Sequence, residues 1–347
     1  MGVVGLVALP LVVLSSVIAV AAMEGILAYD AQTGYLPPAR GLVHGVSPYP
    51  AATYPPLGFV LFIPFTAFPR PEILLTVLAV AAVPAVLLAL DVRDWRCYGA
   101  AFLWAPVLSA IQTANLTLLL VLAAALSWRW RENTRLCGWA TGLGIAAKLI
   151  SAPLLVWLAA TRRARTAVVS AGVAVGVTVG LLLAIQLIDG FALSFVDKAG
   201  RLPTSGSTPS YSPIDILSEV GLPKWPGVTI VLVVVGGLCG LAVRFGRQGD
   251  DHRSFAAAAT AILVFSPNVW LHSVAFLLLP LGVLRPRFDG LWLVPAVLVV
   301  VGVDDPSTWE WLVLWAVSAL VAGWALVRPA PVDVATPPLE RRASVPA

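Results

Sequence analysis

Residues 29–68, YDAQTGYLPPARGLVHGVSPYPAATYPPLGFVLFIPFTAF, decide how this chain is read. They follow an apolar run from Val3 to Ala28 and bring Asp30, Arg40 and His44 into one short segment. Prolines at 37, 38, 48, 55 and 56 lack an N–H and restrain their predecessors, so no regular helix is expected through most of the stretch. Irregular backbone cannot face lipid, so a polar, proline-punctuated segment beside a membrane sits at the surface or lines a cavity. The segment is therefore expected to roof an active site on the outer face of a membrane.

The membrane itself follows from composition. Hydrophobic residues fill 59% of 347 positions, charged residues only 12%, and the mean hydropathy is +0.91. A soluble domain carries about 25% charged residues. Apolar runs bounded by charges or turn residues fall near 3–28, 72–91, 97–111, 115–128, 137–147, 150–161, 166–188, 226–243, 254–266, 271–284, 288–303 and 311–327. Several are shorter than the roughly 20 residues of a straight crossing and are expected to be tilted, broken or re-entrant. The expected fold is all-α: a polytopic membrane protein of about 10–12 transmembrane helices with irregular extracytoplasmic loops. Residues 1–328 form one transmembrane domain in this reading, and the polar, proline-rich 329–347 is a disordered cytoplasmic tail. The first run has no basic residues before it and exceeds a leader's apolar core, so it reads as the first span.

Net charge of +4 does not point to nucleic acid, because the basic residues cluster in short loops between apolar runs. With the N-terminus cytoplasmic and every run crossing, inner loops take all but six of the 22 basic residues. Arg40, Arg70, Lys148, Lys198, Arg201 and Lys224 remain outside. Counting 57–68 as a further crossing would turn the arginine clusters at 129–135 and 162–165 outward, so this run is placed as a dip or interfacial helix. Both termini are then cytoplasmic, and the irregular pieces collect on the outer face: 29–71, Gln112 to Asn115, the turn at Lys148, 189–225, Ser266 to His272 and 304–310.

Those pieces hold the candidate residues. Asp30 is a carboxylate at an interface, suited to take a proton from a hydroxyl nucleophile, or simply solvated there. Glu24 lies deeper and, six residues away along a helix, faces another side. Lys148 interrupts an apolar stretch, where it either meets an anion such as a lipid phosphate or snorkels. His272 could donate to a phosphate or sugar oxygen, or pack as a neutral core residue. Gln112 and Asn115 suit either a sugar or an interhelical contact. Arg40 and His44 share the first loop with Asp30, as does Tyr54. Cys97, Cys137 and Cys239 have no metal-ligand spacing, and three histidines without paired spacing do not suggest zinc.

Four segments then resemble a known family in the same order. ARGLVHGVSPY with TYPPLGFVLFIPF, IQTANLTLLL, GLGIAAKLISAPLLVWLAATRRAR and SPNVWLHSVAFLLLPL resemble glycosyltransferase family 87, over roughly residues 25 to 285. These are polyprenyl-phosphate-mannose-dependent mannosyltransferases of the GT-C fold. The resemblance implies a polyprenyl-phosphate sugar donor, a lipid- or glycan-bound hydroxyl as acceptor, inversion, and no bound cofactor. Asp30 falls on the family's general base, and Lys148 and His272 on its Lys and His segments. Three departures stand out: Ile111 replaces a glycine, Ser273 replaces a second histidine, and SGSTPSYSP stands where Asn-Gln-Ser is expected. A lipid or glycolipid transporter, and transfer of another sugar such as arabinofuranose, are the competing readings.

Overall fold

The computed structural model describes residues 2, 4–49, 52, 54–189, 195, 210–302 and 307–328. The tail 329–347, residues 205–209 of the SGSTPSYSP segment, Lys198 and Arg201 lie outside the described residues. Among those described there is no strand, and the chain is an all-helical, multi-pass membrane protein.

Five helices are long and apolar enough to cross a bilayer: Gly5–Met23, Pro71–Ala89, Ala164–Ile188, Lys224–Arg247 and Thr308–Val327. A sixth crossing is available to the pair Ala105–Thr113 (α6) and Thr117–Arg129 (α7), which pass the same test together but bend by 115° between them. Other apolar runs form helices of 10–17 residues, among them Pro56–Ala67, Leu149–Ala160 and Leu271–Leu284. The ten to twelve crossings expected from sequence are thus only partly built from full-length spans.

Helix length makes the difference, and short helices of this kind are also the buried ones. In the helix Asp251–Phe265, Ala256, Ala257, Ala258, Ala259 and Ile262 are all fully buried, and Val274 to Leu281 are buried behind it. Alanines let neighbours close in on every side, and a helix apolar all round belongs in a core. By contrast Val168 and Leu187 on one span and Val233 on another stand 72%, 89% and 67% exposed. Large apolar side chains so placed face lipid.

Proline chemistry accounts for a second difference. The first loop contains the helix Leu36–Val43 (α2), with Pro37 and Pro38 in its first turn. Amides there have no intrahelical partner, so the two prolines start a helix rather than forbid one. Residues 56–67 make only the short helix Pro56–Val60 (α3) and a 3-10 turn over Ile63–Ala67, in keeping with a piece that does not cross.

Close approach is achieved with glycine at two contacts that shape one end of the bundle. A Cβ on Gly142 of Thr134–Ala147 (α8) would stand 2.6 Å from Val173 Cβ, so the long helix Ala164–Asp189 rests directly on α8. A Cβ on Gly58 would lie 3.0 Å from the carbonyl oxygen of Ala147, so α3 is pressed onto the end of α8, beside Lys148. At the other end, Trp157 Nε1 donates to Asp251 Oδ1 at 2.7 Å, and Arg163 Nη2 pairs with Asp251 Oδ2 at 3.0 Å. These contacts tie two helix connections together. The three cysteines are free thiols.

Candidate active site

The helix Leu9–Met23 (α1) stops at Glu24, and Gly25 (φ 72°) and Ala28 (φ 57°) turn the chain out of it. A side chain in left-handed backbone is strained, and Ala28 is held there by the fully buried packing around it. Its N–H donates to the carbonyl oxygen of Gln112 at 2.7 Å, pinning the first loop to the end of α6. Asp30 follows as the first residue before a π-turn over Ala31–Tyr35, and its side chain caps no backbone amide there. The carboxylate is left for other partners. Glu24 is exposed, and since the helix ends before it, projecting α1 onward does not relate it to Asp30.

Those partners come from the break between α6 and α7. Ala114 takes left-handed backbone (φ 47°, ψ 41°), ends α6 and makes the 115° bend. Asn115 then serves two purposes. Its Oδ1 accepts from the Thr117 amide at 2.9 Å and the Thr117 hydroxyl at 2.7 Å, an Asx turn that starts α7. With its oxygen so occupied, Nδ2 is oriented to donate to Asp30 Oδ2 at 2.7 Å. Asn115 thereby makes a contact between two separate segments of the chain. Gln112 contributes through its main chain.

His272 arrives from a third direction. After the break at Ser266–Trp270, it sits in the 3-10 helix Leu271–Leu277, buried, with Nδ1 3.9 Å from Asp30 Oδ2. Ser273, at the position of the expected second histidine, accepts from the Trp270 amide with its hydroxyl at 3.2 Å and fixes this turn.

Lys148 closes the site. It ends α8 in extended backbone (φ −156°, ψ 120°), between two short apolar helices. Its Nζ lies 5.8 Å from the centroid of the Tyr54 ring, near enough for a cation–π contact. Tyr54 packs on Tyr35 with centroids 5.1 Å apart, and Tyr35 stacks on Phe62 at 4.7 Å.

Burial raises the Asp30 carboxyl above its ordinary range, against the pull of the Asn115 and Thr113 hydrogen bonds and the Lys148 charge. A partly buried carboxylate facing an ammonium, with an imidazole beside it, can accept a proton from a bound hydroxyl while the cation holds an anion.

Of the sequence candidates, Asp30, Asn115, Lys148, His272 and Tyr54 converge here. Arg40 and His44 do not: both are exposed at the end of α2, with no side-chain hydrogen bond or ion pair among the described residues. Sequence reasoning missed Tyr35 and Thr113. The only signal for Tyr35 was its place five residues after Asp30 in the same loop.

No curated protein and no solved structure matches the chain. The family model of glycosyltransferase family 87 matches residues 52–267. That segment contains Tyr54, Asn115 and Lys148 and stops short of Asp30 on one side and His272 on the other. It covers well over half of the sequence, and with the multi-pass helical fold it is decisive: the chain belongs to glycosyltransferase family 87.

Proposed function

We propose that this membrane glycosyltransferase moves a sugar, mannose, from a polyprenyl-phosphate carrier to a hydroxyl on a lipid- or glycan-bound acceptor at the outer face of the cell membrane. The observation that carries this reading is the meeting of Asp30, held by the Asn115 amide at 2.7 Å, with His272 and Lys148 at the breaks of three helical segments.

In this mechanism the acceptor hydroxyl gives its proton to Asp30 as its oxygen attacks the anomeric carbon. The bond from that carbon to the phosphate oxygen breaks in the same displacement, with inversion. The electron pair leaves with polyprenyl phosphate, whose charge faces the Lys148 ammonium. Asp30 suits a base because burial brings its pKa closer to working pH, where removal of a proton is better matched. Asn115 fixes the carboxylate, and His272 Nδ1 stands 3.9 Å from the same oxygen. One carboxylate suffices, unlike the acid–base pair of a hydrolase. The arginine-rich helix ends opposite the site support a site on the outer face and cytoplasmic termini.

The direct test supplies membranes containing the protein with radiolabelled polyprenyl-phosphate-mannose and total lipid as acceptor. Label moving into a new glycolipid supports transfer of mannose. Label moved only from the arabinofuranosyl donor would change the sugar. Lipid translocation without any transfer would favour a transporter and reject the proposal.

A further inference from the structure

The end of the bundle opposite the site carries arginines of two kinds. Arg131 and Arg163 are engaged: both reach Asp251, and their guanidiniums lie 4.1 and 5.9 Å from the ring centroids of Trp128 and Trp157. Arg163 also takes Glu132, and Arg253 takes Asp250, so the carboxylates of these helix connections are already paired. Arg162, Arg165, Arg244 and Arg247 are exposed, and among the described residues none of them has an ion pair or a side-chain hydrogen bond. The first set holds the fold together; the second is free to meet something outside it.

One close approach gathers the free set. A Cβ on Gly246 would stand 2.8 Å from Ala160 Cβ and 2.9 Å from its carbonyl oxygen, so the span Lys224–Arg247 is pressed at its end onto the end of the short helix Leu149–Ala160. Arg244 and Arg247 flank this contact on one chain segment, and Arg162 and Arg165 on the other. Arg162 takes left-handed backbone (φ 62°), which glycine adopts freely and a residue with a side chain does not. The turn alone would be better served without its side chain.

An apolar stripe leads up to these charges. In Leu149–Ala160, Ala152, Leu155, Val156 and Ala159 recur at i, i+3, i+4 and i+7 and form the partly open face, while Leu154, Trp157 and Leu158 are buried. The short helix packs on both Ala164–Asp189 and Lys224–Arg247, two spans whose outward side chains stand in lipid. The stripe is therefore the floor of a furrow between two spans, with guanidiniums at its head.

We infer that this furrow binds an anionic phospholipid with two phosphates in its head, of the cardiolipin type. Acyl chains lie along the stripe, and two groups of two guanidiniums match two phosphates, each offered a fork of N–H donors. A zwitterionic head sets its own ammonium against the same arginines and loses that gain. Basic pockets between membrane helices hold heads of this kind. A lipid bridging the two groups ties the connection at 161–163 to the end of the neighbouring span and stabilises the folded chain by mass action. The inference is independent of the sugar and acceptor proposed above.

The test uses the full chain in detergent, titrated with cardiolipin, phosphatidylcholine or soluble glycerophosphate and followed by native mass spectrometry and thermal unfolding. One cardiolipin is expected to be retained at the lowest concentrations and to raise Tm, and the other two additives to do neither. Arg244→Gln with Arg247→Gln removes one group, and retention should weaken roughly thirtyfold. Arg162→Gly relieves the left-handed backbone, so Tm without lipid should hold or rise while the gain from cardiolipin shrinks. A merely structural arginine would not separate those two readouts. Arg93→Gln, in an exposed pair with Asp91 elsewhere, should change neither. Equal retention of phosphatidylcholine, equal stabilisation by glycerophosphate, a loss of the same size in Arg93→Gln, or an undiminished cardiolipin gain in Arg162→Gly would overturn the inference. Polyglutamate held more tightly than cardiolipin would overturn it in favour of an acidic protein partner.

Discussion

Replacing Asn115 with leucine tests whether the amide tunes Asp30 or merely starts α7. The change removes a 2.7 Å hydrogen bond from a partly buried carboxylate and the two bonds that Oδ1 accepts from Thr117. A hydrogen bond to a charged group contributes about 1.5–3 kcal/mol, so its loss should raise the Asp30 pKa further. The sign follows from the base being active when deprotonated. Burial already lifts the Asp30 pKa, Asn115 opposes that lift, and its loss moves the acidic limb of the transfer rate upward. Loss of the cap should separately lower stability by about 0.5–2 kcal/mol. Thr117→Val is the control, because it removes the hydroxyl bond to Asn115 Oδ1 and leaves the amide on Asp30. The assay is the pH dependence of kcat/KM in nanodiscs, with thermal unfolding measured alongside. Asn115→Leu should shift the limb and recover most of its rate at higher pH, while Thr117→Val should lose stability with the limb unmoved. A destabilised Asn115→Leu enzyme with the wild-type limb would refute the tuning role.

Lys148→Met keeps a long apolar stem and removes the charge, so donor KM should rise with kcat little changed. If neither moves at normal protein level, the lysine only snorkels. A reporter active only outside the cytoplasm should work when fused after Ser207 and fail after Arg131 or Arg287, and the reverse pattern at Ser207 would discard an outer-face site. Asp251→Ala removes the acceptor of Trp157 and Arg163 at the far end of the bundle. It should lower stability by about 1–3 kcal/mol in unfolding measurements and leave donor KM unchanged.

Much of the helical content was legible because bilayer thickness imposes it on sequence: long apolar runs such as Pro71–Ala89 and Lys224–Arg247 have few other uses. The number of crossings was less legible. AAAATAIL reads as a span by hydropathy, yet it lies in a buried helix of 15 residues, short of a full-length span. Asp30 stood out as a lone carboxylate after an apolar run, and Lys148 and His272 as polar residues at helix breaks. Their convergence depends on left-handed backbone at Ala28 and Ala114, where alanine gives no warning because its side chain favours ordinary helix. Arg40 and His44 looked like companions of Asp30 in the linear loop, suited to bind phosphate or to be solvated. The prolines at 37 and 38 set α2 going, and its end carries both residues into the exposed part of the loop.

The central claim is that Asp30 is the base of a sugar transfer. The most direct measurement compares the wild-type protein with Asp30→Asn, at matched membrane levels, for transfer of label from polyprenyl-phosphate-mannose to a lipid acceptor. Asparagine keeps the size and can still meet Asn115 and His272 but cannot take the proton. The rate should fall about 10²–10⁴-fold with donor binding retained. Wild-type transfer by Asp30→Asn would contradict the account.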